Sequence, residues 1–155
     1  MSGESALAWL QAYAPDLKLI DHARSTATVA EAADVLGVEP GRIAKSLAIR
    51  VGETVYLILA RGDARLDNAR CKAELGGRPR MLDAEETLAV TGHAVGGVCP
   101  FGLASELAIL ADRSLLAYPT VFPAAGTRTS SVEVEPARLA ELVGARWVEV
   151  CKLPE

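Results

Sequence analysis

Two apolar, β-branched segments joined by a short turn constrain the fold of this chain more than any other feature. Residues 45–51 and 54–60 are separated by Gly52-Glu53, and this spacing and composition predict a β-hairpin. A hairpin is antiparallel, so the chain cannot be a simple alternation of parallel strands and helices. We therefore expect an α+β fold, in which a mixed and strongly curved β-sheet, open or barrel-like, is surrounded by helices.

Capping signals predict helices on both sides of this hairpin. Thr28 and Glu31 form a capping-box pattern ahead of a stop at Gly37. The predicted helices are 4–13, 28–37, 67–76, 83–92 and 136–143, with a short helical turn at Pro40. Further strands are predicted at 17–20, 106–111, 120–122, 131–135 and 147–151. Since no repeat, low-complexity tract or linker interrupts this pattern, we expect one domain over residues 1–155.

Composition and cysteine usage narrow the class of protein. Half of the residues are hydrophobic and 23% are charged, which is typical of a globular protein. No apolar run reaches the roughly 18 residues of a membrane-spanning helix, and the N-terminus lacks the pattern of a signal peptide. Cys71, Cys99 and Cys151 are odd in number, form no CxxC pair and are accompanied by two histidines. We expect free thiols in the reducing cytoplasm, with no metal, cofactor or membrane contact.

The charge of the chain is unevenly distributed. The net charge of −4 argues against a general nucleic-acid-binding protein. Basic side chains nevertheless crowd together between positions 61 and 80, where they alternate with Asp63, Asp67 and Glu74. They are Arg61, Arg65, Arg70, Lys72, Arg78 and Arg80. This cluster either contacts phosphates locally or forms a solvated helix face.

Lys45 and two loops of small residues are the candidate site elements. Lys45 is either an exposed lysine at a strand edge or a cation in a cleft, where it would bind a phosphate or polarise a carbonyl. The segment 96–102, Gly-Gly-Val-Cys-Pro-Phe-Gly, is either a tight connection or a loop whose backbone approaches a ligand. The segment 124–131 carries four hydroxyls and Arg128, which suits both a polar ligand and an ordinary hairpin loop.

Common nucleophile patterns are weak in this chain. No GxSxG occurs. Cys99 together with His93 or His22 offers the residue types of a thiol hydrolase, but no orienting Asn or Asp is marked out. A small buried or pocket-lining cysteine is the commoner arrangement.

Taken in order, the motifs resemble one family, the YbaK and prolyl-tRNA synthetase-associated editing domains. The resemblance covers nearly the whole chain. Its first part is Asp21-His22, then 28–38, Gly41 and Lys45-Ser46-Leu47; its second is 96–102; its third is 126–132. It implies a YbaK-like fold and a free-standing enzyme that hydrolyses the ester between a mischarged small amino acid and the 3′ end of a tRNA, tRNA-Pro or a related one. The implied partners are this tRNA and an aminoacyl-tRNA synthetase, and the protein would be a monomer or a homodimer.

The resemblance also implies the site residues. Lys45 would be the catalytic residue, and the loop from Gly96 to Pro100 would line the aminoacyl pocket. The implied substrate-binding residues are His22, Gly96, Gly97, Val98, Cys99, Pro100, Phe101, Gly126, Thr129 and Ser130. Many relatives have Ser where Cys99 stands, and relatives specific for alanine often have a histidine where this chain has Thr129 and Ser130, so strict alanine specificity is not expected.

A mechanism follows as a hypothesis from these assignments. Lys45 would bind the terminal phosphate or the ester carbonyl, and the N–H groups of residues 97–99 would stabilise the oxyanion. A hydroxyl or amine of the substrate would activate water, while Val98, Cys99 and Phe101 would exclude larger amino acids. The alternatives are a non-catalytic module that binds aminoacyl-tRNA or a synthetase, a regulatory protein with a vestigial pocket, and a thiol enzyme that uses Cys99.

Overall fold

The structure is a computed structural model that describes residues 2–154. Its helices are α1 Ser2–Tyr13, α2 Val29–Leu36, α3 Asn68–Leu75, α4 Ala84–Thr91 and α5 Pro136–Val143, and 3-10 turns occupy Pro40–Arg42 and Arg113–Ala117. Its strands are β1 Ile20–Asp21, β2 Ile43–Val51, β3 Thr54–Arg61, β4 Arg65–Leu66, β5 Arg80–Met81, β6 Ala108–Asp112, β7 Phe122–Pro123, β8 Ser130–Ser131, β9 Arg146–Val148 and β10 Cys151–Lys152.

The β2–β3 hairpin is the centre of the main sheet. Its strands pair from Val51 with Thr54 to Ala44 with Arg61, which confirms the predicted hairpin. The sheet has the order β5-β2-β3-β6-β9, and β7 also pairs with β2. The β3–β6 and β6–β9 pairs are parallel, so the sheet is mixed, as expected.

The sheet is open, and the barrel-like alternative is therefore wrong. In the described part of the chain, β9 pairs with β6 and not with a strand at the other edge. The short two-stranded pairs β1–β8 and β4–β10 lie outside the main sheet, so they do not close it.

Both faces of the central hairpin are buried. Successive side chains of a strand point to opposite faces. One face of the hairpin, with Ala48 and Leu57, packs in a cluster with Leu10 of α1 and Leu139 of α5. The other face, with Ile58, packs in a second cluster that includes Cys71 of α3. This burial on both faces explains why β2 and β3 are nearly continuous apolar runs.

Local capping rules account for the helix boundaries. At α2, Glu31 N–H donates to Thr28 Oγ1 at 3.1 Å, and Thr28 N–H donates back to the Glu31 carboxylate at 3.2 Å. Gly37 ends the helix with a φ of 68°. Asp67 and Asp83 cap the N-termini of α3 and α4, as predicted, because each side chain accepts a hydrogen bond from a backbone N–H of the first turn.

The predicted strands outside the hairpin are placed less accurately. The segment 17–20 is extended only at its end, in β1, and 120–122 and 131–135 are reduced to β7, β8 and isolated bridges. The predicted strand 147–151 is interrupted. The buried carboxylate of Asp112 accepts hydrogen bonds from the N–H groups of Val150 and Cys151, at 2.8 and 3.1 Å, so these two groups do not continue β9, and the chain resumes pairing with β4 in β10.

Candidate functional site

A cavity of about 360 Å³ lies along an open edge of β2. On that side, pairing with β7 ends at Ala44 and pairing with β5 begins at Ile49, so no described strand lies against residues 45–47. The cavity is lined from both faces of β2, by residues 43–48 in succession. Its volume lies within the roughly 300–1,000 Å³ that is usual for small-molecule sites.

Lys45 lines this cavity, and hydrogen bonds hold its ammonium group in place. Its ammonium donates to the carbonyl oxygen of Gly62, at 3.2 Å, and to that of Ala64. An ammonium group has three donors, so this arrangement leaves one for a ligand. Burial lowers the pKa of Lys45 below its ordinary value, and the neighbouring Asp63 carboxylate partly offsets this effect.

The two loops predicted from sequence pack directly against each other. Gly96 has a φ of 97°, a conformation that favours glycine. A Cβ atom on Gly97 would lie 3.0 Å from the carbonyl carbon and oxygen of Gly126, so a larger residue would push the two loops apart by a few tenths of an ångström. The Gly97 N–H donates to the carbonyl of Ala94 at 2.9 Å and is therefore already engaged within its own loop.

The cavity brings together four of the residues expected at the site. Lys45, Gly96, Val98 and Ser130 contribute to its lining. Two others lie just behind it, because His22 Nε2 is 2.7 Å from the hydroxyl of the lining residue Ser131, and the His22 N–H donates to the Thr129 carbonyl at 2.8 Å.

The remaining part of the glycine-rich loop turns away from the cavity. Cys99 and Phe101 are fully buried in the core, where the Phe101 ring lies 5.4 Å from that of Trp9. Pro100 lines a separate, shallower groove beside α1. Of the three side chains expected to exclude larger amino acids, the cavity therefore has Val98 in its lining, while Cys99 and Phe101 anchor the loop to the core.

The environment of Cys99 is unsuited to nucleophilic chemistry. Its Sγ lies 3.6 Å from His93 Nε2, and that nitrogen is 2.7 Å from the Phe101 carbonyl oxygen. Burial raises the pKa of the Cys99 thiol to about 12. Because the thiolate is the reactive form, a thiol that stays protonated at neutral pH argues against the thiol-enzyme alternative.

Ser46 is a cavity-lining residue that sequence reasoning did not single out. Its hydroxyl oxygen is buried without a hydrogen-bond partner. The hydroxyl of Ser130, another lining residue, is by contrast 2.6 Å from that of Thr127. The sequence signal that could have identified Ser46 is its position as a small polar residue next to Lys45 in a mostly apolar strand.

The basic cluster divides into engaged and solvent-facing side chains. Arg61 binds Asp63 through two hydrogen bonds, at 2.6 and 2.9 Å, and Arg70 donates to the Cys151 carbonyl. The other four are exposed: Arg65, Lys72, Arg78 and Arg80. Arg70 is also exposed despite its hydrogen bond, so Arg61 is the least accessible member of the cluster for a phosphate contact.

Comparisons with known proteins relate the chain to aminoacyl-tRNA editing domains. The family model of the aminoacyl-tRNA editing domain matches residues 23–142. The uncharacterized protein YwhH of Bacillus subtilis is 48% identical over 130 residues, which are 83% of each chain. A crystal structure of a candidate trans-editing enzyme for prolyl-tRNA synthetase superimposes with a TM-score of 0.89 and 34% identity, over 97% of both chains.

A further match concerns a much larger protein. The proline–tRNA ligase of Thermotoga maritima is 37% identical over 89 residues, which are 57% of this chain and 15% of the ligase. The similarity therefore extends to a small part of the ligase. Among the described residues, no helix is long and apolar enough to cross a membrane.

Proposed function

Since this chain belongs to the aminoacyl-tRNA editing domain family, we propose that it is a trans-acting hydrolase that removes a small amino acid from a mischarged tRNA. We take residues 1–155 as one editing domain, and the similarity to a candidate trans-editing enzyme over 97% of both chains favours action in trans. The similarity to part of a proline–tRNA ligase favours tRNA-Pro or a related tRNA as the substrate.

The observation that carries this proposal is the convergence of three separate segments on one cavity. Lys45 comes from β2, Gly96 and Val98 from the glycine-rich loop, and Ser130 from β8. These are the segments on which the family resemblance rests. An aminoacyl ester is already activated, so positioning it beside a cation and a backbone donor is the contribution that we propose the cavity makes to hydrolysis.

The reaction needs a donor for the developing oxyanion. Water attacks the ester carbonyl carbon, and the resulting tetrahedral oxyanion is stabilised by a donor aimed at it. Since the Gly97 N–H is engaged with Ala94 and Cys99 does not line the cavity, we assign this role to the backbone N–H group of Val98, together with the remaining donor of Lys45. The intermediate then releases the ribose oxygen, which takes up a proton, and leaves the free amino acid.

We assign the proton of the attacking water to the substrate itself. The cavity lining contains no Asp, Glu or His among the described residues, so the site offers no side-chain carboxylate or imidazole as a general base. The amino group of the ester, or the adjacent ribose hydroxyl, is the remaining acceptor of that proton.

Deacylation of a substrate panel tests this proposal. tRNA-Pro and a second tRNA are charged with alanine, serine, threonine, cysteine or proline, and release of each amino acid is followed with the parent protein, Lys45→Ala and Lys18→Ala. Lys18 is an exposed lysine that does not line the cavity, and serves as the control. Rapid release of one mischarged amino acid by the parent and Lys18→Ala, but not by Lys45→Ala, is expected.

A non-catalytic module that binds aminoacyl-tRNA or a synthetase is the second candidate. The engagement of Lys45 with two carbonyl groups favours it, because a lysine held in this way has a structural role without any chemical step. Protection of aminoacyl-tRNA from spontaneous hydrolysis, with no release above background for any charged species, would favour this candidate and contradict the hydrolase.

A further inference from the structure

The rim of the cavity exposes apolar side chains to solvent. Met81 of β5 and Val95, just before the glycine-rich loop, both line the cavity, yet 53% of Met81 and 50% of Val95 remain exposed. A side chain that lines a cavity and is half exposed lies at its opening. Exposed apolar surface at the opening of a pocket is typical of a ligand-binding surface.

A cation lies across the same opening. Arg128 belongs to the loop that packs on Gly96, and its Nε donates to the Val95 carbonyl at 3.2 Å. A Cβ atom on Gly96 would lie only 3.0 Å from that Nε, so the arginine is seated directly over the glycine. Arg128 is exposed, and no carboxylate of the described residues lines the cavity beneath it.

An apolar rim beside an exposed arginine fits one nucleotide better than it fits an amino acid. Apolar side chains can pack on either face of a nucleobase, and an arginine pairs with a phosphate through two parallel hydrogen bonds. The interior of the cavity would then hold the aminoacyl ester, while its rim holds the nucleotide to which the ester is attached.

We propose that Met81, Val95 and Arg128 form the binding site for the 3′-terminal nucleotide of the RNA, with the base on the two apolar side chains and a phosphate on Arg128. This inference rests on the proposed function. It assigns recognition of the RNA end to residues outside the catalytic set, and it requires neither an aromatic side chain nor a large basic surface.

Binding of short RNA tests the site without any need for hydrolysis. The probes are the trinucleotide CCA and an analogue of it in which the terminal base is missing. For the parent protein, loss of the base is expected to weaken binding about tenfold, which is at the lower end of the effect of stacking one base on an aromatic side chain. Equal affinity of the two probes would overturn the proposal.

Substitutions then locate the base and the phosphate. Met81→Ser and Val95→Ser are expected to reduce the preference for CCA over the analogue, whereas Leu88→Ser is expected to leave it unchanged. Leu88 of α4 is the matched control, because it is also 50% exposed but does not line the cavity. An equal effect of Leu88→Ser would contradict the assignment.

Arg128→Gln should act differently from the apolar variants. It is expected to weaken both probes to the same extent and to reduce the dependence of binding on salt by about one ion. An unchanged salt dependence would exclude a phosphate contact. If the parent binds CCA in this way but hydrolyses no charged tRNA, the inference stands and the proposed hydrolase activity fails, so the two failures are distinguishable.

Discussion

Replacing Lys45 with methionine separates the chemical role of the ammonium group from its structural role. Methionine keeps an unbranched apolar side chain in β2 and removes the charge. The carbonyl groups of Gly62 and Ala64, both in buried residues, then lose the ammonium that donates to them. The substitution therefore tests stability and activity at the same time.

The expected magnitudes follow from these contacts. A hydrogen bond from a charged group contributes about 1.5–3 kcal/mol net, and relief of the partial burial of the charge offsets part of the two bonds lost. We expect a destabilisation of about 2 kcal/mol, which lowers the Tm of a chain of this length by about 4–8 °C. Loss of one electrostatic contact to the transition state should reduce the deacylation rate about 100- to 1,000-fold.

The assay combines thermal unfolding with single-turnover deacylation at 25 °C, where the variant remains folded. Lys18→Met is the control for loss of a positive charge, and it should match the parent in both measurements. If Lys45→Met lowers the Tm as expected but deacylates within about threefold of the parent, Lys45 only ties β2 to the turn after β3, and the proposed catalytic role is refuted.

Four other predictions concern residues around the cavity. Cys99→Ala should retain activity, and native Cys99 should resist alkylation, because burial holds its pKa at about 12; loss of activity in a folded variant would restore the thiol mechanism. Gly97→Ala should reduce activity and cost about 1–3 kcal/mol of stability, since its Cβ would press on Gly126 at 3.0 Å, and an unchanged Tm would show that the loops can separate freely. Ser46→Ala should raise stability by about 1 kcal/mol, because it removes a buried hydroxyl that has no partner, whereas a lower Tm would reveal a partner for it. If the protonated form of Lys45 is required, activity corrected for spontaneous ester hydrolysis should fall as the pH rises through its lowered pKa, at a lower pH than for an exposed lysine; a constant corrected rate through the alkaline range would contradict that requirement.

Elements defined by local interactions were predictable from the sequence. The hairpin follows from two β-branched runs around Gly52-Glu53, and α2 follows from Thr28, Glu31 and Gly37, whose side chains or backbone conformations act within a few residues. By contrast, the interruption after β9 depends on the Asp112 carboxylate, which is distant in sequence. The pattern of residues within 147–151 therefore could not predict that contact.

In the candidate site, too, local motifs were predictable from the sequence and contacts between distant segments were not. Motifs identified Lys45 and the glycine-rich loop, but they could not indicate which side chains of that loop face the cavity. Val98 lines it, whereas Phe101 packs on Trp9 of α1, a contact between distant segments. Ser46 became a candidate only when the gap between β7 and β5 was known, because that gap makes the edge of β2 accessible to a ligand.

The most direct test of the central claim is a crystal structure with a non-hydrolysable substrate analogue, an adenosine that carries the small amino acid through a 3′-amide. The account predicts that the carbonyl of the amide lies in the cavity beside β2, within hydrogen-bond distance of the Val98 N–H or Lys45 Nζ, with the adenine against Met81 and Val95. An analogue bound in the groove beside α1, or bound in the cavity with its amide away from both donors, would contradict it.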